Sequence, residues 1–233
     1  MQKTEKENKK RGKLPKPKPK PKRTKTKKVI IIFGPPGSGK GTQAKMLSEK
    51  LAIPHIATGD ILRDSISSGS ELGKRVQEYV SKGGLVPDDI MIEVVRGRFS
   101  SVKDGAILDG FPRTVPQAEA LESLFNDLKT DYKVLFLQVP DDEVVKRISG
   151  RRICSICGEI YNIYFSPLSR CEKCGGTLVI RDDDEEHKVR KRLEVYRQST
   201  YPLLEFYKKR KKIIKIKGTG ETTQVFERIL KVV

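Results

Sequence analysis

Lys40 is the side chain around which the chemistry of this sequence is organised. It stands in Gly34-Pro35-Pro36-Gly37-Ser38-Gly39-Lys40-Gly41-Thr42-Gln43, which satisfies the pattern G-x-x-x-x-G-K-[ST]. Gly37, Gly39 and Gly41, with Ser38 among them, let backbone N–H groups turn inward around phosphate oxygens. The N-terminus of a following helix adds the positive end of its dipole. The Lys40 ammonium would reach the outer phosphates of a nucleoside triphosphate, and the Thr42 hydroxyl is placed to ligate the accompanying magnesium. The pattern carries this meaning only between a strand and a helix. Val29-Ile30-Ile31-Ile32-Phe33 before it predicts a buried parallel strand, and residues 43–51 after it have helical apolar spacing.

The remaining elements must bring other groups to that loop. Short strands are predicted over 54–57, 105–109, 133–139 and 213–217, the second of these ending in the carboxylate of Asp109. Helical spacing is read near 60–64, over Glu71–Ser81, from Pro87 to Phe99, over 115–128 and from Asp141 or Asp142 to Gly150. It recurs from about 184 to 209, with a kink expected at Pro202, and over 221–232. Strands alternating with helices predict an α/β fold with a doubly wound, five-stranded parallel sheet. Ligands of such sheets lie at the carboxyl ends of the strands, where the phosphate loop, Asp109 and Arg113 all fall.

The chain has 233 residues, enough for one such domain with an insertion. No run approaches the ~18 apolar residues of a membrane span, and no apolar segment follows the basic N-terminus as in a secretory leader. A cytoplasmic protein is expected. The net charge of +18 is unevenly placed: residues 1–28 hold twelve Lys and two Arg against Glu5 and Glu7, leaving only +6 for the rest. Within that extension Pro15-Lys16-Pro17-Lys18-Pro19-Lys20-Pro21-Lys22 alternates strictly. Fixed φ angles, missing donors and like charges predict a disordered, extended arm over 1–27 without a core. Two readings of it stand side by side: an electrostatic contact with nucleic acid or an anionic surface, and a solubilising extension without a partner.

Cys154-x-x-Cys157 and Cys171-x-x-Cys174, separated by thirteen residues, have the spacing of a tetrahedral thiolate site. Four thiolates leave zinc no open position, so the ion would be structural and would substitute for a core that a short loop-rich insert cannot build. Gly158 and Gly175 after each pair are expected to turn N–H groups toward sulfur. His187 falls outside the insert and is read as an exposed helix residue.

Arg63, Arg113, Arg147, Arg151, Arg181 and Arg192 all stand near turns or helix edges. Guanidinium groups bind phosphate oxygens bidentately and stay charged at any working pH. Phosphoryl transfer requires alignment and charge neutralisation more than covalent help. An acceptor that is itself a phosphate is already ionised and needs no general base. Many arginines without a His or Cys catalyst fit that requirement.

These motifs in this order resemble the adenylate kinases of the long-lid, zinc-binding kind, over about residues 28–233. Besides the phosphate loop, the resemblance rests on Thr58-Gly59-Asp60-Ile61-Leu62-Arg63, Leu108-Asp109-Gly110-Phe111-Pro112-Arg113-Thr114, Arg147-Ile148-Ser149-Gly150-Arg151-Arg152, Arg181-Asp182-Asp183-Asp184 and Val189-Arg190-Lys191-Arg192. It implies reversible, Mg²⁺-dependent transfer, ATP + AMP ⇌ 2 ADP, with a structural Zn²⁺. Residues 37–42 would hold the ATP phosphates, with Lys40 on the transferred group. Residues 57–86 would form the AMP-binding subdomain, where Thr58, Arg63 and the backbone of Gly84, Leu85 and Val86 contact AMP. Gly110, Arg113 and Gln117 would complete that site, Arg113 gripping the phosphate and Gln117 bonding adenine. Asp109 would organise magnesium through water. Arg147 and Arg151 would act on ATP from the lid hinge, and Arg181 and Arg192 would clamp both nucleotides. Ile160, Tyr161 and Gly220 would border the ATP base, and residues 150–184 would form the closing lid. A monomer is expected.

The chain departs from the family pattern in two places. Its cysteine pairs are closer together, predicting a shorter lid loop, and the extension 1–27 has no counterpart. The alternative reading is a monophosphate kinase of broader donor range, such as GTP:AMP, with a secondary RNA-binding role through the basic arm. Thr58 and Gln117 favour AMP as acceptor, and the long lid argues against a pyrimidine kinase.

Overall fold

The computed structural model describes residues 28–165 and 167–233, so the reading of 1–27 as a disordered arm lies outside the described residues. Strand β1 (Lys28–Phe33) leads into α1 (Lys40–Leu51), then β2 (His55–Ala57), α2 (Thr58–Ser67), α3 (Glu71–Ser81) and α4 (Asp88–Ser100). There follow β3 (Gly105–Asp109), α5 (Val115–Asp127), β4 (Asp131–Gln138) and α6 (Asp141–Ser149). The cysteine insert carries β5 (Arg151–Cys154), β6 (Ile160–Asn162) and β7 (Leu178–Val179), and a 3₁₀ turn over Asp182–Asp184 closes it. The chain ends with α7 (Glu186–Val195), α8 (Leu203–Lys209), β8 (Ile213–Lys217) and α9 (Thr222–Leu230).

Five strands pair in the order β2-β3-β1-β4-β8, every neighbouring pair parallel, which is the doubly wound sheet the sequence predicts. The chain builds outward from β1 on one side through β2 and β3, then crosses to β4 and β8 on the other. The phosphate loop therefore leaves the sheet where the strand order reverses, the usual ligand crevice of this topology. β1 is buried on both faces, which is why it reads as an unbroken apolar run. Val29, Ile31 and Phe33 pack with Leu108, Phe111, Phe125 and Tyr207. Ile30 and Ile32 pack with Leu47, Leu137 and Ile229 on the opposite side.

Three local features differ from the sequence expectation. Strand β4 begins at Asp131, two residues early, because its register with β1 extends to Lys28↔Asp131. The insert is not all loop: β6-β5-β7 form a small antiparallel sheet that brings the two cysteine pairs together. The helical stretch 184–209 is not continuous but broken by a π-helical turn over Tyr196–Thr200, where the Tyr201 N–H donates to Tyr196 O at 2.8 Å. Pro202 explains it, since proline has no N–H to donate and its ring clashes with the carbonyl four residues back. A wider turn just before it accommodates both problems.

α2 and α3 lie so close that a Cβ on Gly73 would fall 2.0 Å from Ser65 O, so only glycine serves there. The Ser70 hydroxyl caps α3 by accepting from Gly73 N–H at 3.1 Å. Among the described residues, no helix is long and apolar enough to cross a membrane.

Candidate active site

The turn after β1 takes its shape from glycine. Gly37 and Gly39 have φ of 74° and 89°, and a Cβ on Gly37 would sit 2.5 Å from Ile148 of α6. The loop thereby runs tightly against α6 and leads into α1 at Lys40. Lys40 Nζ donates to Gly34 O at 3.1 Å and Pro35 O at 2.9 Å. Burial pulls its pKa down to about 7; the Asp109 carboxylate opposes that, while Arg113 and Arg192 add to it. The Lys40 charge is thus held at a cost unless anionic oxygens surround it.

Asp109 ends β3 in register with Ile32 and Ala57. Its Oδ2 lies 3.4 Å from the Cβ position of Gly41, directly beside Thr42 in the loop. Burial alone would raise its pKa, but the nearby His55 ring and the Lys40 and Arg113 charges outweigh this and hold it below the usual carboxylate value. His55 Nε2 stands 3.4 Å from that oxygen. Sequence reasoning took His55 for an ordinary strand residue, because only the β2–β3 pairing brings it to Asp109. The ionised Asp109, the Thr42 hydroxyl and the buried Ser38 hydroxyl, which has no partner among the described residues, are hard oxygen groups suited to magnesium.

Two cavities of about 520 and 660 Å³ open at this end of the sheet. The first is lined by Gly34, Pro36 and Lys40 and by Tyr196 and Thr200 of the π turn. The second is lined by Thr58, Arg63, Gly84, Leu85, Val86 and Gln117. Both share Gly83, Leu85, Gly110, Arg113 and Arg192, so these two arginines stand on the wall common to both. Arg147, Arg151, Arg181, Ile160, Tyr161 and Gly220 line neither cavity.

The second cavity is held by a network that only the folded chain reveals. Arg113 Nε donates to Gly110 O at 2.8 Å, aiming the guanidinium back across the turn. Gly110 has φ 79°, and a Cβ there would lie 2.8 Å from Thr58 Oγ1. The Thr58 hydroxyl donates to Asp109 O at 3.3 Å. Gln117, almost wholly buried, accepts from Arg113 N–H at 2.7 Å and donates through Nε2 to Asp88 Oδ1 at 2.7 Å. The Thr114 hydroxyl donates to the same carboxylate at 3.0 Å while capping α5. Asp88 therefore fixes the orientation of the Gln117 amide. Sequence reasoning did not single it out; it falls within the helix read from Pro87 to Phe99.

The arginines of the insert and its flanks are balanced by acids whose roles the sequence does not reveal. Arg151 makes a two-pronged pair with the buried Asp184. Arg192 reaches Asp183 Oδ2 at 2.9 Å and Asp184 Oδ1 at 3.3 Å. Arg181 lies 3.6 Å from Asp60, which also holds Arg63. Burial and the charges of Arg63 and Arg151 pull Arg181 down to about 10. Arg147 is held by Glu143 at 2.9 Å and donates to Ser38 O at 3.4 Å. Lys45 of α1 meets Glu159 of the insert at 2.7 Å, so the insert reaches the helix that begins at the phosphate loop.

The four cysteine sulfurs lie within 4.8 Å of one another, with 3.4 Å between Cys154 and Cys174 and 3.5 Å between Cys157 and Cys171. Metal–sulfur bonds of ~2.3 Å in a tetrahedron require edges of about 3.8 Å, so the donors fit a single ion. Gly158 and Gly175 both adopt left-handed φ, but their N–H groups donate to Cys154 O and Cys171 O rather than to sulfur. The Ile156 N–H does face sulfur, at 3.4 Å from Cys154 Sγ, and the backbone of Lys173 and Cys174 turns toward Cys171. The Tyr161 side chain turns to the cluster too, its hydroxyl 3.3 Å from Cys171 Sγ. His187 is exposed and away from the sulfurs, beside Glu185.

The adenylate kinase family profile matches residues 32–212. An adenylate kinase of Methanothrix thermoacetophila is 49% identical over 209 residues, covering 87% of this chain and 97% of its own length. One from Thermosipho africanus is 48% identical over 210 residues, covering 88% and 98%. One from Archaeoglobus fulgidus is 47% identical over 206 residues, covering 86% and 95%.

Asp88→Ala strands the Gln117 and Thr114 groups it now satisfies, and an unsatisfied buried polar group costs ~1–3 kcal/mol. Urea unfolding should show a loss of that size, and Asp88→Asn, which keeps one acceptor oxygen, should lose less. An Asp88→Ala protein as stable as the parent would mean that the amide is not held through Asp88.

Proposed function

Because the chain belongs to the adenylate kinase family, we propose that it moves the terminal phosphoryl group of ATP onto the phosphate of AMP, reversibly, with the acceptor in the second cavity and the terminal donor phosphate at Lys40, where the phosphate loop meets the first. The observation that carries this reading is the shared wall: Arg113 and Arg192 border both cavities, with Lys40 beside them. A phosphorus atom passing from one cavity to the other would cross that wall. Residues 57–86 are assigned to the acceptor subdomain and 150–184 to the lid.

The chemistry asks little covalent help of the chain. An ionised AMP oxygen attacks the terminal phosphorus of ATP, and the bond from that phosphorus to the bridging oxygen breaks, leaving ADP on both sides. Lys40 neutralises charge on the moving group, and Arg113 aligns the acceptor phosphate. Arg147 and Arg151 approach the donor, and Arg181 and Arg192 clamp both chains of phosphate. Thr42 and Asp109 would hold magnesium, which supplies charge neutralisation and orientation of the donor phosphates. The lid, carrying Ile160 and Tyr161 toward the donor base with Gly220 opposite, excludes water so that the phosphoryl group does not pass to hydrolysis. Gln117 and Thr58 select adenine at the acceptor.

Zinc is the metal assigned to Cys154, Cys157, Cys171 and Cys174, on the softness of four thiolates and their tetrahedral spacing. It crosslinks the lid and takes no part in the transfer. The protein is read as a cytoplasmic monomer.

A coupled assay of ADP formation across donors and acceptors tests the assignment. ATP with AMP should be the fastest pair, and Arg113→Ala should lower kcat and raise KM for AMP while leaving KM for ATP within a few-fold. Faster turnover with UMP, CMP or GMP would overturn the acceptor reading, and faster turnover with GTP the donor reading.

For the metal, mass spectrometry should find one zinc per chain, absent after Cys154→Ser with Cys157→Ser. That double variant should melt at lower temperature yet keep most of its turnover at moderate temperature, because the arginines lie outside the cluster. An equally stable but inactive variant would contradict a purely structural ion.

A further inference from the structure

The side-chain amide of Gln117 could be turned either way at the second cavity, and its neighbours permit only one. Gln117 is almost wholly buried yet borders that cavity. On one side stands the Arg113 N–H, a group that only donates, so the atom it meets at 2.7 Å is the oxygen, Oε1. On the other stands the Asp88 carboxylate, an acceptor only, so the atom it meets at 2.7 Å is the nitrogen, Nε2. Turning the amide over would set oxygen against carboxylate and N–H against N–H. Asp88 is itself held in place. The Thr114 hydroxyl lies 3.0 Å from both its oxygens, donating between them, and accepts from Gln117 N–H at 3.3 Å.

The amide keeps one lone pair of Oε1 and one N–H of Nε2 for a ligand. Adenine and its 6-oxo counterpart, hypoxanthine, differ along the edge that such a pair reads. Adenine offers an accepting ring nitrogen beside an amino donor. Hypoxanthine offers a ring N–H beside an accepting oxygen. An amide carries a donor and an acceptor side by side and matches either base, according to which way it is turned. A glutamine at this position therefore does not by itself select adenine; its orientation does.

We propose that Asp88 sets base selectivity at the acceptor site, as a positioning residue that locks the Gln117 amide in the orientation matching a 6-aminopurine and opposing a 6-oxopurine. This rests on the assignment of the second cavity to the acceptor nucleotide. Asp88 lines neither cavity, so it acts through Gln117 and not by touching the base. The Arg113 N–H favours the same orientation but is the weaker lock, because hydrogen bonds to an ionised group are roughly twice as strong as neutral ones. A 6-oxopurine in the locked site would meet donor with donor and acceptor with acceptor, leaving buried polar groups unpaired.

Initial rates with ATP and either AMP or inosine monophosphate, for the parent, Asp88→Ala and Asp88→Asn, test this. The parent should favour AMP in kcat/KM by ~100-fold or more, as sites with buried hydrogen-bonding groups reject mismatched analogues. Asp88→Ala should lower that preference at least ~10-fold, the size expected when a hydrogen bond to a charged group is lost. The change should fall on KM for the acceptor, with KM for ATP within a few-fold of the parent. A merely structural defect would weaken both acceptors alike and leave their ratio unmoved. Asparagine can turn either its oxygen or its nitrogen to Gln117, so Asp88→Asn should fall between, and it decides alone if the alanine protein does not fold. A preference equal to the parent's in every folded variant would overturn the proposal and leave the acceptor reading intact, as would a parent that prefers AMP to pyrimidine nucleotides but accepts inosine monophosphate equally well. A parent that phosphorylates UMP or CMP faster than AMP would overturn the acceptor reading, and this proposal with it.

Discussion

Like charges forced together are the constraint from which the rest of this structure follows. Lys40, Arg113 and Arg192 converge on the wall between two cavities, and Arg63, Arg151 and Arg181 stand close behind. Unit charges ~4 Å apart near a protein surface interact by about 4 kcal/mol, a large share of the ~5–15 kcal/mol that keeps a domain folded. The directions of the pKa shifts express that tension, for burial and neighbouring guanidinium groups depress Lys40, Arg113, Arg181 and Arg192 alike. The fold tolerates it by interleaving carboxylates. Asp109 faces Lys40, Asp60 joins Arg63 to Arg181, and Asp183 and Asp184 hold Arg192 and Arg151.

Those four carboxylates do not balance the six cations named, and in the proposed reaction polyphosphate would supply the remainder. In the proposed transfer the charge that binds nucleotides is also the charge needed as the phosphoryl group moves, so ground-state binding and transition-state stabilisation would use the same side chains. Of the arginines named above, Arg151 opens the segment 150–184 proposed as a lid and Arg181 stands near its end. The Lys45–Glu159 pair then ties its outer part to α1, the helix that begins at the phosphate loop. The cysteine pairs come together beside the small antiparallel sheet of the insert, where a bound ion would crosslink it.

What could be read from the sequence was local. The phosphate loop, the apolar β1, the two cysteine pairs and the arginine-bearing turns are each defined within about ten residues, and each kept its identity in the fold. The features that escaped depend on distant partners. Asp88 and Gln117 are 29 positions apart, and Arg151 and Asp184 are 33 apart. His55 meets Asp109 only through strand pairing. The π turn before Pro202 escaped because a kink and a widened turn satisfy the same proline rule. The Tyr161 hydroxyl was overlooked because the family resemblance pointed to its backbone, and its side chain turned out to face the metal ligands.

The most direct test of the central claim is a thermal melt of Lys40→Met beside the parent, each with and without ADP. If Lys40 is held in the fold against its neighbours, the variant should melt at or above the parent temperature in the absence of nucleotide. Saturation of a site at 100 times Kd stabilises by about 2.7 kcal/mol, so ADP should raise the parent Tm by several degrees and the variant Tm far less. A Lys40→Met protein that melts well below the parent without ADP, yet gains as much from it, would contradict the account.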